Sequence, residues 1–225
     1  MEGFDWEYIA KHIDHTLLKP ISTSRDIISL CNDGLEMKVY SVCIPPSYIR
    51  LAKDVVGSSL KVDCVISFPL GYTLSEVKAY EVQKCVSEGA DEVDFVINQG
   101  FVKEGCWEKF DRDVSLIVGV ASGHGVITKA IIEACNLSDQ EKIDVTERLG
   151  ALDVDFVKTS TGFSTSGATL QDVALLKSHC KGKMKVKAAG GIRTVGQVMD
   201  LLKAGADRIG TSSTRSIREE YMKTS

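Results

Sequence analysis

Short apolar runs rich in Val and Ile alternate along the chain with longer segments whose apolar residues recur at helical spacing, the pattern of repeated βα units. Eight such runs stand out: "HIDHTLL" from His12, "VYSVCI" from Val39, "KVDCVISF" from Lys61, "EVDFVIN" from Glu92, "GVITKAII" from Gly125, "VDFVKT" from Val154, "MKVKAAG" from Met184 and "DRIGTS" from Asp207. Helix starts are predicted where a hydroxyl precedes an acid or amide by three residues: Thr23 with Asp26, Thr73 with Glu76, Ser138 with Glu141, Thr169 with Asp172, and Thr194 with Gln197. Helix stops are predicted at Gly89, Gly150 and Gly205, in the similar junctions "EGADEVDFV", "LGALDVDFV" and "AGADRIG". Eight units of about 28 residues predict an α/β fold, a (β/α)8 barrel, rather than an open doubly wound sheet. A doubly wound sheet would call for G-x-G-x-x-G after its first strand, and "HIDHT" is followed by no such motif. Residues 1–225 read as one domain, since no Pro/Gly/Ser-rich linker divides them, with Phe4 to Lys11 as a short extra helix closing the bottom.

Composition narrows the function classes. A net charge of −4, with basic residues scattered among acids, offers no polycationic face, so nucleic acid is not an expected partner. No run approaches the roughly 18 apolar residues of a membrane span, and the acidic, amphipathic start is unlike a signal peptide. The expected location is therefore cytoplasmic, with no membrane partner. Seven cysteines at irregular spacing, without C-x-x-C, argue against a disulfide framework or a zinc site. The four histidines, His12, His15, His124 and His179, form no H-x-H or H-x-x-x-H cluster, and no metal is expected. His15 reads as a core or hydrogen-bonding residue.

In a barrel of this kind the active site lies at the C-terminal ends of the strands. Four runs carry an ionisable residue near that end: Asp94, Lys129, Lys158 and Lys187. Any single strand-end lysine most often lays its stem on apolar neighbours and sends its ammonium to solvent. Three lysines and an aspartate converging on one mouth are better explained by chemistry. With a reference pKa of about 10.4, less than about 0.1% of a lysine is neutral at pH 7, and only the neutral amine attacks a carbonyl. A nearby ammonium and apolar walls favour that neutral form, and a carboxylate can handle the protons. The donor-rich stretches "AAGGIRT" and "GTSST" follow the seventh and eighth runs, where this fold usually binds phosphate. Ordinary strand-to-helix turns would also contain such glycines.

The ordered set "IDHTLLKP", "SFPLG", "DEVDFVIN", "DFVKTSTGF" and "KAAGGIRT" closely resembles the deoxyribose-phosphate aldolase family over about Ile13 to Ser213. The resemblance implies a metal-independent class I lyase without cofactor, cleaving 2-deoxy-D-ribose 5-phosphate reversibly to acetaldehyde and D-glyceraldehyde 3-phosphate in deoxyribose phosphate catabolism. It implies Lys158 as the Schiff-base lysine, Lys187 as the second catalytic lysine, Asp94 as the proton-relay carboxylate and Lys129 as a supporting lysine. Thr161, Gly162, Gly190, Gly191, Gly210, Ser212 and Ser213 would bind substrate and phosphate. The partners implied are the small phosphosugar and acetaldehyde, with a homo-oligomer, a dimer, expected. Two other readings fit the residues: a transaldolase-like or ketose-phosphate aldolase, and a sugar-phosphate-binding barrel without catalysis. Cys43 reads as packing, though near enough to the site to meet an unsaturated aldehyde. Lys185 shares the parity of Lys187 where similar proteins carry a small residue, so either that strand is irregular or a second ammonium lies lower in the barrel. The chain stops soon after Tyr221, so no role is assigned to a longer tail.

Overall fold

In the computed structural model, which describes residues 4–224, all eight runs become strands. They are β1 (Ile13–Thr16), β2 (Ser41–Ile44), β3 (Lys61–Ile66), β4 (Glu92–Val96), β5 (Ile127–Ile131), β6 (Phe156–Lys158), β7 (Lys185–Ala189) and β8 (Arg208–Thr211). Each pairs in parallel with its sequence neighbour, and β8 pairs back to β1, so the sheet closes as a (β/α)8 barrel. Closure leaves no sheet edge unpaired.

The outer residues of the strands, among them Val42, Val62, Val93, Val157, Val186 and Ile209, are buried against the surrounding helices. Each such aliphatic side chain contributes about 1.5 to 3 kcal/mol on burial. The helix Ser24–Met37 shows how the pattern seats a helix: Ile27, Leu30, Cys31, Gly34 and Met37 are its buried residues and recur at helical spacing. The extra helix spans Trp6–Ala10, capped by Asp5, whose side chain accepts from the Tyr8 amide. It buries Ile9 and Ala10 before the start of β1, and Trp6 Nε1 donates to the Met37 carbonyl at 3.3 Å.

Four expected caps form: Thr23, Ser138, Thr169 and Thr194 each accept from the amide three residues on. The cap expected at Thr73 does not. Its Oγ1 accepts from Ser67 Oγ at 2.7 Å within the preceding loop, and the helix Ser75–Ser87 starts from Leu74 without a side-chain cap. Gly89 and Gly205 take left-handed backbone at helix ends. Gly150 does not, because the helix Asp139–Ala151 runs through it and Asp153, with φ of 57°, makes the left-handed turn instead.

Candidate active site

Side chains alternate between the two faces of each strand, and parity sorts the barrel interior into layers contributed by alternate strands. Going up the barrel, one layer holds Ser41, Glu92, Phe156 and Arg208, the next holds Asp14, Asp63, Lys129 and Lys187, and the one above that holds Cys43, Asp94, Lys158 and Gly210. An aliphatic filling is thus replaced by four carboxylates and four cations, every one of them buried.

Asp94 is the hub of the upper half. Its Oδ2 lies 2.7 Å from both Lys158 Nζ and Lys187 Nζ, and its Oδ1 lies 2.8 Å from Lys129 Nζ. Lys187 also contacts Asp14 at 2.6 Å and Asp63 at 3.0 Å, while Lys129 contacts Glu92 at 2.7 Å and Asp63 at 3.1 Å. Arg208 ties the lower half together, 2.6 Å from Asp14 and 3.3 Å from Glu92, with its guanidinium 3.5 Å from the Tyr40 ring centroid. Burial alone would raise the carboxyl of Asp94, but Lys129, Lys158 and Lys187 outweigh it and hold the group well below the usual range. Asp14 is likewise held down, by Lys187, Arg208 and Lys129 against its own burial. Burial would push Lys129 and Lys187 down; the surrounding carboxylates reverse this and keep both firmly protonated. The lysines therefore do not meet as uncompensated like charges. Carboxylates stand between them, and the repulsion expected from the three lysines alone is correspondingly offset.

Of the three interior lysines only Lys158 lines a cavity, of about 260 Å3, at the C-terminal end of the barrel; Lys129 and Lys187 are sealed below with no exposed surface. Gly210 occupies the upper layer beside Lys187, where a Cβ would lie 3.2 Å from Lys187 Cε, so its lack of a side chain leaves the lysine its room. Thr161, Gly162, Gly190, Gly191, Ser212 and Ser213 line the same cavity, so the structure brings the expected loops to the expected amine.

Two details differ from a simple phosphate cradle. The first turn of the helix Val195–Lys203 is already occupied, because the Thr194 amide donates to Gln197 and the Val195 amide to Glu220. The open element is the preceding glycine pair, where Gly190 and Gly191 have φ of 90° and 76°; a Cβ on Gly190 would lie 3.0 Å from Gly167 Cα. The hydroxyl of Thr161 is also engaged: it donates to Glu133 and accepts from the Phe163 amide.

Lys185 is not a second buried ammonium. It opens β7 at the exposed bottom of the barrel, its Nζ 5.7 Å from the Phe156 ring centroid, and the lower interior cation is Arg208. Cys43 is fully buried, and burial together with Asp63 pushes its thiol well above the ordinary value, which disfavours a reactive thiolate. Burial pushes His15 down to about 4, so it is neutral near pH 7. Two groups, Cys43 with Asp63 and Asp94 and Asp14 with Asp63 and Glu92, converge closely enough to face one cation. The positive charge they face is that of Lys129, Lys187 and Arg208.

Asp14, Asp63, Glu92, Arg208 and Glu133 were not singled out from the sequence. Glu92 shares the parity of Asp94, and Asp14 and Asp63 are acids inside apolar runs; these were the available signals. Lys19 and Arg193 also line the cavity and bring basic groups to its rim.

A closed parallel barrel with a buried, carboxylate-bound lysine at the floor of its cavity, below glycine-rich loops, has the arrangement of a barrel aldolase. Residues 8–219 match the DeoC/LacD family aldolases, and the chain belongs to that family. It is 48% identical over 216 residues to a deoxyribose-phosphate aldolase of Thermococcus gammatolerans, covering 95% of each chain. It is 44% identical over 206 residues to one of Mannheimia succiniciproducens, covering 91% of each. Among solved structures, the tetrameric deoxyribose phosphate aldolase from Aeropyrum pernix superposes with a TM-score of 0.91 at 33% identity, covering 98% of this chain and 94% of that one. An aldolase named QR15 gives a TM-score of 0.91 at 38% identity, with 96% of each chain covered.

Proposed function

We propose that this aldolase, acting as a single barrel domain, cleaves 2-deoxy-D-ribose 5-phosphate reversibly to acetaldehyde and D-glyceraldehyde 3-phosphate through an imine on Lys158. The observation that carries this reading is that Lys158 reaches the cavity while Lys129 and Lys187 are sealed beneath it. The neutral amine of Lys158 attacks C1 of the open-chain sugar, and loss of water gives an iminium ion. The iminium accepts the electron pair released when the C2–C3 bond breaks, so the lysine itself is the electron sink and no cofactor is required. Asp94, one hydrogen bond below Lys158, takes the C3 hydroxyl proton through a water and returns protons as the enamine becomes the acetaldehyde imine. Lys187 and Lys129 hold Asp94 in place and keep it ionised between transfers. Gly190, Gly191, Gly210, Ser212 and Ser213 receive the phosphate, with Lys19 and Arg193 adding positive charge.

Borohydride trapping with acetaldehyde, followed by peptide mass analysis, tests this. A reduced two-carbon adduct is expected on Lys158. No adduct, or one that maps elsewhere, rejects the assignment; trapping of dihydroxyacetone and not acetaldehyde replaces it with transaldolase-like chemistry. A chelator is expected to leave cleavage unchanged, and inhibition that zinc reverses would replace the amine mechanism with a metal one.

The setting supported is cytoplasmic deoxyribose phosphate breakdown; among the described residues no helix is long and apolar enough to cross a membrane. A homo-oligomer is supported by the exposed apolar residues Leu70, Tyr72, Leu74, Val77 and Tyr80, which lie close together in sequence. Light scattering should show more than one copy, and Leu74→Glu with Tyr80→Glu should lower the mass.

A further inference from the structure

Asp63 is a fully buried carboxylate with no part in the imine chemistry assigned to Lys158 and Asp94. Asp63 Oδ2 lies 3.0 Å from Lys187 Nζ and its Oδ1 lies 3.1 Å from Lys129 Nζ. The same two ammoniums hold Asp94 at 2.7 and 2.8 Å, and Asp94 holds Lys158 at 2.7 Å. The contacts close a ring, Asp94 to Lys187 to Asp63 to Lys129 and back, with Lys158 attached at Asp94. Asp14 and Glu92 also touch these lysines, Lys187 at 2.6 Å and Lys129 at 2.7 Å respectively, but each is shared with the guanidinium of Arg208, which does not give up a proton. Asp63 bridges both lysine ammoniums, which can.

We propose that Asp63 is an internal proton store for imine formation, taking up the proton that Lys158 must shed before attacking a carbonyl and returning it to the departing hydroxyl. The inference rests on the imine reading of Lys158. In the first transfer Lys158 passes a proton to Asp94, and Asp94 passes one to Lys187 as Lys187 gives one to Asp63. Lys129 offers a second route with the same balance. The sum converts one ammonium and one carboxylate into a neutral amine and a carboxylic acid, and the barrel interior keeps its net charge. The amine lone pair then forms the C–N bond, the carbonyl π pair goes to oxygen, and a proton on nitrogen moves to that oxygen. The stored proton returns by the reverse route to the carbinolamine hydroxyl, water leaves, and the nitrogen lone pair completes the iminium.

The surroundings suit a store. Around Asp63 stand Lys129 on β5, Lys187 on β7, Asp94 and Glu92 on β4, Asp14 on β1, the Cys43 thiol on β2 and the Cys64 thiol on its own strand. Burial, with Asp94 beside it, pushes its carboxyl up to about 6 against the pull of Lys129 and Lys187. Asp94, by contrast, is held too low to keep a proton and serves as a conduit.

Single-turnover borohydride trapping of acetaldehyde, measured against pH for wild type, Asp63→Asn and Asp63→Glu, tests the proposal. At pH values above about 7 the Asn variant should form the imine more slowly, on the order of 10²-fold. The deficit should shrink below about pH 6, where the wild-type store is already full. Asp63→Glu should restore the pH-dependent part with a moved midpoint. A deficit constant across pH would show a structural role and overturn the proposal, as would an Asn variant equal to wild type. Should Asp63→Asn fail to fold, wild type alone decides: mixed with acetaldehyde beside a pH indicator in weak buffer, it should release no proton burst before the imine forms. A stoichiometric burst would overturn the store. Absence of any Lys158 adduct would instead overturn the imine reading itself.

Discussion

A lysine before a run of hydroxyl and glycine residues is legible as chemistry because a strand should end in apolar side chains, and "DFVKTSTGF" does not. Lys158, Asp94, Lys187 and Lys129 were all readable in this way, and all four meet in the structure. What surrounds them was less legible. A parallel strand is buried on both faces, so a four-residue run such as "IDHT" does not reveal whether its acid points to the interior or to the helices. Asp14 and Asp63 became interior only once the register to Ser41 and Glu92 was known. The phosphate loops give a test at this scale. Replacing Ser212 and Ser213 together by Ala should raise KM for deoxyribose 5-phosphate about tenfold or more, with little effect on unphosphorylated deoxyribose, because only remote binding energy is removed. Steady-state kinetics on both substrates reads this out; equal losses would make the loops purely structural.

At the scale of elements, the four caps that formed are local devices, legible because residues three apart decide them. Thr73 failed for a non-local reason: its hydroxyl was claimed by Ser67, across a loop whose path the local pattern does not specify. The helix pair Ser75–Ser87 and Trp107–Ser122 carries another such surprise. Lys78, fully buried, contacts Asp113 at 2.7 Å and donates to the Val96 carbonyl at 3.0 Å, at the end of the strand that carries Asp94. Burial pushes this lysine's pKa down against the pull of Asp113. Removing one partner leaves a buried charge alone, so Asp113→Ala should cost about 3 to 5 kcal/mol. Lys78→Met combined with Asp113→Leu should recover much of that loss, since a well-packed apolar pair avoids the desolvation cost. Urea denaturation of the single and double variants checks both values, and a double variant as unstable as the single one would show that the bond to Val96 matters more than the charge.

For the molecule as a whole, barrel closure was legible from the count of runs, whereas the ionic filling of its interior emerges only from closure. That filling makes stability depend on pH in a way two buried groups should reveal. Asp63 has its carboxyl raised to about 6 by burial and Asp94, so its contribution is fully present below the unfolded carboxylate value, about 3.9, and is lost as pH rises through about 6. His15, depressed to about 4 by burial, has the opposite sign: its contribution is present above the unfolded value of about 6.5 and is lost as pH falls through about 4. The two windows overlap and their shifts are of similar size, so between about pH 4.5 and about pH 6 the wild-type urea midpoint should be nearly flat. Asp63→Asn removes one side of the balance, and its midpoint should climb with pH across that window, as His15 loses its proton in the unfolded chain while the folded His15 is already largely neutral. His15→Gln should show the reverse, a midpoint that falls as pH rises. Slopes are compared within each variant, so any constant loss from altered packing drops out. Parallel slopes in the two variants would mean that neither group titrates where its surroundings place it.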